Sequence, residues 1–133
     1  MMRKNRCGRP GSSRLRATVS HFEIPARDLE RAARFYREIF GWSVEPLPWE
    51  GHPYYKIRGV AGDALGGGIV PAGEGYDHPL LVIHVDGELA VWIERIVEGG
   101  GTIEQSPTRV GDFGTFARFR DPEGNLLGVW GPL

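Results

Sequence analysis

HFEIPARDLERAARFYREIFGW, residues 21–42, is the stretch whose reading decides the fold. His21, Phe22, Glu23 and Ile24 alternate polar and apolar side chains with period two, so a strand is expected over Ala17–Ile24, with Pro25 ending it. Asp28 then offers an oxygen to cap a helix. Leu29, Ala32, Ala33, Tyr36, Ile39 and Phe40 fall on one helical stripe, which predicts a helix over Asp28–Phe40. Gly41 stands where a left-handed helix stop favours glycine. The unit is therefore strand, turn, helix, with His21 and Glu23 on one face of the strand.

The same text returns further along. A shift of 59 residues lays HFEI (21–24) on LLVI (80–83) and WSVE (42–45) on GTIE (101–104). A shift of 60 lays Gly68-Ile69-Val70 on Gly128-Val129-Trp130. The repeat predicts two β-α-β-β-β modules, about 17–71 and 80–132, each too small to bury a sheet alone. Within them, strands are expected at Trp42–Leu47, Tyr54–Arg58, Ala64–Val70, Leu80–Val85, Thr102–Glu104, Phe113–Arg120 and Asn125–Trp130. Pro71–Pro79, rich in glycine, reads as a linker, and Asp86 reads as the cap of a second helix bearing Leu89, Trp92, Ile93, Ile96 and Val97. Asp121-Pro122-Glu123-Gly124 suits a type I turn.

Composition bounds the function. The 133 residues are 41% hydrophobic and 25% charged, which suits one globular domain. No apolar run nears the ~20 residues of a membrane helix. Arg3, Lys4, Arg6, Arg9, Arg14 and Arg16 place six of the 16 basic residues in a leader, residues 1–16, expected to be disordered; the remainder carries ten basic against 17 acidic residues. An acidic body argues against nucleic acid as partner. Cys7, the only cysteine, permits a reducing cytoplasm, where the protein is expected to reside.

HFEIPARDLERAARFYREIFGW, the terminal FARFRDPEGNLLGVW and the paired modules together resemble the vicinal oxygen chelate superfamily, which includes glyoxalase I, bleomycin- and fosfomycin-resistance proteins and extradiol dioxygenases. The resemblance covers roughly residues 17–132. It implies an α+β fold of curved mixed sheets and a homodimer that binds small molecules. Its metal-dependent members take one ligand from each of four strands. The corresponding positions here are His21, Gly68 or its neighbour, Leu80 and Gly128, so only His21 is a donor. A catalytic divalent site needs about three protein ligands. The resemblance thus implies a glyoxalase-like protein without the standard metal, acting either as a binding protein or in a lyase- or isomerase-type reaction.

Two alternatives stand beside it. One is a metal-dependent lyase, transferase or dioxygenase with a rearranged set of His21, Glu23 and His84. The other is an interaction module with no ligand. His21 and Glu23 are the catalytic candidates, as an acid/base pair or a polar anchor, against a hydrogen-bonded pair or a Glu23 paired to Arg118 or Arg120. His84, Gly68, Gly128, Leu80, Trp130 and Tyr54 are the ligand-binding candidates. Empty volume is expected at the two glycines, with Trp49, Tyr54 and Tyr55 as an aromatic lid.

Overall fold

The computed structural model describes residues 16–49, 51–62, 65–73 and 75–132. The leader and Cys7 lie outside the described residues, apart from Arg16. Eight strands and two helices follow one another as β1 (Ala17–Ala26), α1 (Leu29–Phe40), β2 (Ser43–Pro46), β3 (Tyr55–Arg58), β4 (Gly66–Pro71), β5 (Leu80–Val85), α2 (Leu89–Glu98), β6 (Thr102–Val110), β7 (Gly114–Arg120) and β8 (Leu126–Gly131). The class is α+β with mixed strand pairing, as expected. The chain divides into two compact units, Val19–Val82 and Ile83–Leu133, the latter taking in the residues up to Thr18.

In the first unit the strand order is β2-β3-β4-β1. β1 and β4 run parallel with Phe22 opposite Gly67, Glu23 opposite Gly68 and Ile24 opposite Ile69. β3 is antiparallel to both β4 and β2. Residues paired across a sheet project from the same face. One face therefore carries Phe22, Ile24, Ile57 and Ile69, and α1 packs there through Leu29, Ala32, Ala33 and Tyr36. Val44, Ile57, Ile69 and Ala33 are buried at its centre. The other face carries His21 and Glu23.

The cap and stop of α1 form as predicted, but Ile39 and Phe40, expected on its packed stripe, are exposed beyond the edge of that contact. The Asp28 side chain accepts from the backbone N–H of Arg31 at 2.9 Å, and Gly41 closes the helix at φ 71°. Arg37 then donates from Nε and Nη2 to the Val44 carbonyl at 2.9 and 2.6 Å, tying the helix to β2. Pro25, however, does not end β1, which runs on to Ala26. In a parallel ladder, alternate residues address one neighbour. Ala26 addresses β4, since its carbonyl accepts from Ala72 N–H at 2.9 Å. Pro25 points away from β4, so its missing N–H costs that ladder nothing.

The second unit has the order β5-β8-β7-β6. Val85, Leu89, Ala117, Phe119 and Val129 form its buried core, with Trp92, Ile93 and Ile96 of α2 against them. Asp86 does not cap α2: the cap position is Glu88, whose side chain makes no cap bond. Asp86 instead exchanges backbone and side-chain bonds with Arg16, and its carbonyl accepts the Trp92 indole N–H at 2.7 Å. β6 is far longer than Thr102–Glu104. Its register shifts between Ile103 and Gln105 and again between Gln105 and Thr108. Those irregularities accommodate Pro107 in a strand at the end of the order. The Asp121 turn forms as read, with Gly124 N–H donating to the Asp121 carbonyl at 2.9 Å.

Candidate functional site

The polar face of β1 gathers four side chains. Glu23 is only 6% exposed, unusual for a carboxylate, and Tyr76 O–H donates to its Oε1 at 3.2 Å. His21 Nε2 lies 3.8 Å from Glu23 Oε2, and the His21 side chain is 24% exposed. On its far side, His21 Nδ1 and Ser20 Oγ are 2.8 Å apart, and Ser20 O–H donates to the Val82 carbonyl at 3.3 Å. A hydroxyl has one proton. When that proton lies on the Val82 carbonyl, Nδ1–H donates to Ser20; in the other tautomer Ser20 donates to Nδ1. Of the pair, the imidazole is the reachable member and the carboxylate the buried one.

Tyr76 escaped the sequence reading. It lies in Pro71–Pro79, where Gly73 and Tyr76 exchange two backbone hydrogen bonds at 3.1 and 2.9 Å. Tyr76 is 4% exposed. The only sequence signal was an aromatic residue inside a glycine-rich run, where a solvated linker has no use for one.

Gly68 is opposite Glu23, but its volume is not empty. A Cβ built there would overlap the hydroxyl and ring of Tyr54. The Tyr54 ring also meets Trp49, with centroids 5.1 Å apart. Burial, and secondarily the charge of Glu23, pushes the Tyr54 phenol well above its usual range. Tyr55 does not join this group. Its ring packs with the α1-side cluster and its hydroxyl donates to Glu30 at 3.3 Å, so the expected three-aromatic lid reduces to Trp49 and Tyr54.

The remaining candidates belong to the other unit or to its border. Leu80 is buried at 4% exposure, a packed residue. His84 and Trp130 stack obliquely at 4.4 Å. Gly128, also buried, pairs with Arg118, whose guanidinium donates to Gln105 Oε1 at 2.8 Å and lies over the Phe116 ring at 5.3 Å. Arg120 pairs with Glu104 at 2.7 Å.

The four positions that the resemblance matches to metal ligands, His21, Gly68 or its neighbour, Leu80 and Gly128, carry only one imidazole among the named residues. Tyr54 fills the space at Gly68, and no new donor enters with a charge suited to a divalent ion. Among the described residues no group of three His, Cys, Asp or Glu side chains is placed to hold a metal ion. These residues do not fit the standard metal group.

The mixed α+β fold and the β1 position of His21 define the class, and the chain belongs to the Glyoxalase/Bleomycin resistance protein/Dioxygenase superfamily, whose model matches residues 18–129. It is 29% identical over 119 residues to a "Putative glyoxylase CFP32" of Mycobacterium bovis, covering 85% of this chain and 45% of that protein. The chain thus spans about half the length of that relative. It is 32% identical over 121 residues to a "Glyoxylase-like domain-containing protein" of Didymella fabae, covering 86% of this chain and 94% of that one. Among solved structures, methylmalonyl-CoA epimerase from Mycobacterium tuberculosis is similar in fold, with a TM-score of 0.62, 18% identity, and coverage of 86% and 87% of the two chains. Among the described residues no helix is long and apolar enough to cross a membrane.

Proposed function

We propose that this chain binds a small organic molecule at the β1–β4 face without the family's standard metal, with His21 as the group that meets it. One arrangement carries the reading: a reachable imidazole backed by a carboxylate that is almost wholly withdrawn from water. Burying a carboxylate is costly unless hydrogen bonds offset it, and the Tyr76 hydroxyl supplies one. Nε2 faces Glu23 and is the ring nitrogen left to exchange a hydrogen bond with a ligand. The binding serves sequestration or a lyase- or isomerase-type proton transfer, in a cytoplasmic homodimer. Phe35, Ile39 and Phe40, all exposed on or beside the outer side of α1, supply apolar surface for self-association, which sedimentation velocity decides.

A thermal-shift screen of small carbonyl and aromatic compounds tests the reading. A ligand at 100 times its dissociation constant adds about 2.7 kcal/mol of stability. The expected result is a shift that is reduced in His21→Ala and unaffected by chelator. An equal shift in His21→Ala sinks the assignment of His21. A fall in melting temperature on adding chelator to tag-free protein favours the metal-dependent reading, and the absence of any stabilising compound favours an interaction module.

A further inference from the structure

Tyr54 is held in place from two sides. The backbone N–H of Leu47 donates to its carbonyl at 2.9 Å, and its ring leans on Trp49 at 46°. From there the ring reaches across β4 to Gly68, where its hydroxyl end takes the volume that any larger residue would fill. Gly68 is the register partner of Glu23, so the phenol lies beside that carboxylate. Yet among the described residues the Tyr54 hydroxyl has no hydrogen-bond partner. A half-buried tyrosine hydroxyl ordinarily has one. The donor is present, rigidly placed and unspent.

We propose that the Tyr54 hydroxyl is the ligand-facing donor of this site, lodged in the slot left by Gly68, and that it takes the oxygen of a neutral carbonyl or nitro group. The inference rests on the β1–β4 reading above and adds the class of ligand. The raised phenol remains a neutral O–H through the working pH range, so it donates and does not repel an acceptor oxygen. Glu23 next to it disfavours a full anion in the same place, which separates a carbonyl from a carboxylate. Trp49, stacked against Tyr54, offers an aromatic wall to a planar ligand.

Three probes test this on the full chain: acetophenone (a neutral carbonyl), benzoate (an anion) and ethylbenzene (no acceptor oxygen). Affinities come from NMR titration of protein labelled at tyrosine Cζ, with the Tyr54 signal identified by Tyr54→Phe. Acetophenone is expected to bind more tightly than benzoate and to move the Tyr54 signal. Tyr54→Phe should weaken acetophenone about 5- to 10-fold, the net worth of one hydrogen bond, and leave ethylbenzene unchanged. Gly68→Ala evicts the ring and should reproduce the loss for acetophenone. Equal acetophenone affinity in Tyr54→Phe or in Gly68→Ala overturns the inference, as does tighter binding of benzoate. Loss of binding in His21→Ala with none in Tyr54→Phe overturns the role of Tyr54 alone. If no probe binds the unsubstituted chain, this inference and the site reading both fall.

Discussion

The open faces of the two units differ where their helix-covered faces agree. In Val19–Val82 the open face holds Glu23, His21 and the hydroxyls of Tyr54 and Tyr76. In Ile83–Leu133 the corresponding strands present Arg118 over Phe116, and Trp130 against His84. Beneath, both units bury the same kind of core: Ala33, Val44, Ile57 and Ile69 in one, Leu89, Ala117, Phe119 and Val129 in the other. The side that packs a helix is constrained by volume, since interiors are close-packed. The opposite side is free to change its chemistry, and the two repeats have used that freedom differently. Glycine shows the same divergence. At Gly68 the neighbour that needs the room is a side chain, whereas at Gly114 it is the backbone carbonyl of Gly131.

The agreement of the cores is the first thing to break. Ile57→Ala is expected to cost about 2–5 kcal/mol in urea denaturation, and Val129→Ala in the other unit about 1–3 kcal/mol. A cost below 1 kcal/mol at either would mean that its unit is not packed as described. The glycine contrast comes next. Gly114→Ala and Gly68→Ala each force atoms together and should cost about 1–3 kcal/mol, Gly114 at the upper end because a ladder backbone cannot step aside. In a Tyr54→Ala background the Gly68→Ala cost should nearly vanish. If it persists, the obstacle at Gly68 is not the Tyr54 ring.

A smaller effect follows from the phenol itself. Burial raises the Tyr54 phenol in the folded chain above the usual tyrosine value of about 10, so the folded state holds its proton more tightly than the unfolded state. The related stability is complete below about pH 10 and is lost as pH rises beyond it toward the folded value. Tyr54→Phe should therefore show a shallower decline above pH 10 in denaturation measurements, and identical slopes would refute the burial of this group. The smallest contrast lies between the helix starts. Asp28→Ala should cost about 1 kcal/mol through the lost bond to Arg31, while Glu88→Ala, whose side chain caps nothing, should leave the midpoint almost unchanged.

How much of this was legible follows from distance along the chain. The α1 stripe from Leu29 to Tyr36, the Asp28 cap, the Gly41 stop, β5 at Leu80–Val85 and the Asp121 turn were readable because each depends on residues a few positions apart. Asp86 misled because a capping residue type can satisfy its bonds elsewhere, here with Arg16 and Trp92. β6 was cut short because Pro107 reads as a breaker, and only the pairing with β7 shows the irregularities that absorb it. Ala64, expected in β4, lies outside the described residues.

The candidate site divides in the same way. His21 and Glu23 share a face by strand alternation alone, and the lack of donors at Leu80 and Gly128 is visible in the letters. That Glu23 is held by Tyr76, 53 residues away, is not. Nor is the filling of the Gly68 slot by Tyr54. By itself the sequence determined the superfamily, the two β-α-β-β-β repeats and the side chains of β1, because periodicity, caps and residue identity are local properties. Only the tertiary structure decided what surrounds Glu23 and Gly68, because Tyr76 and Tyr54 reach them from positions that no period or motif relates.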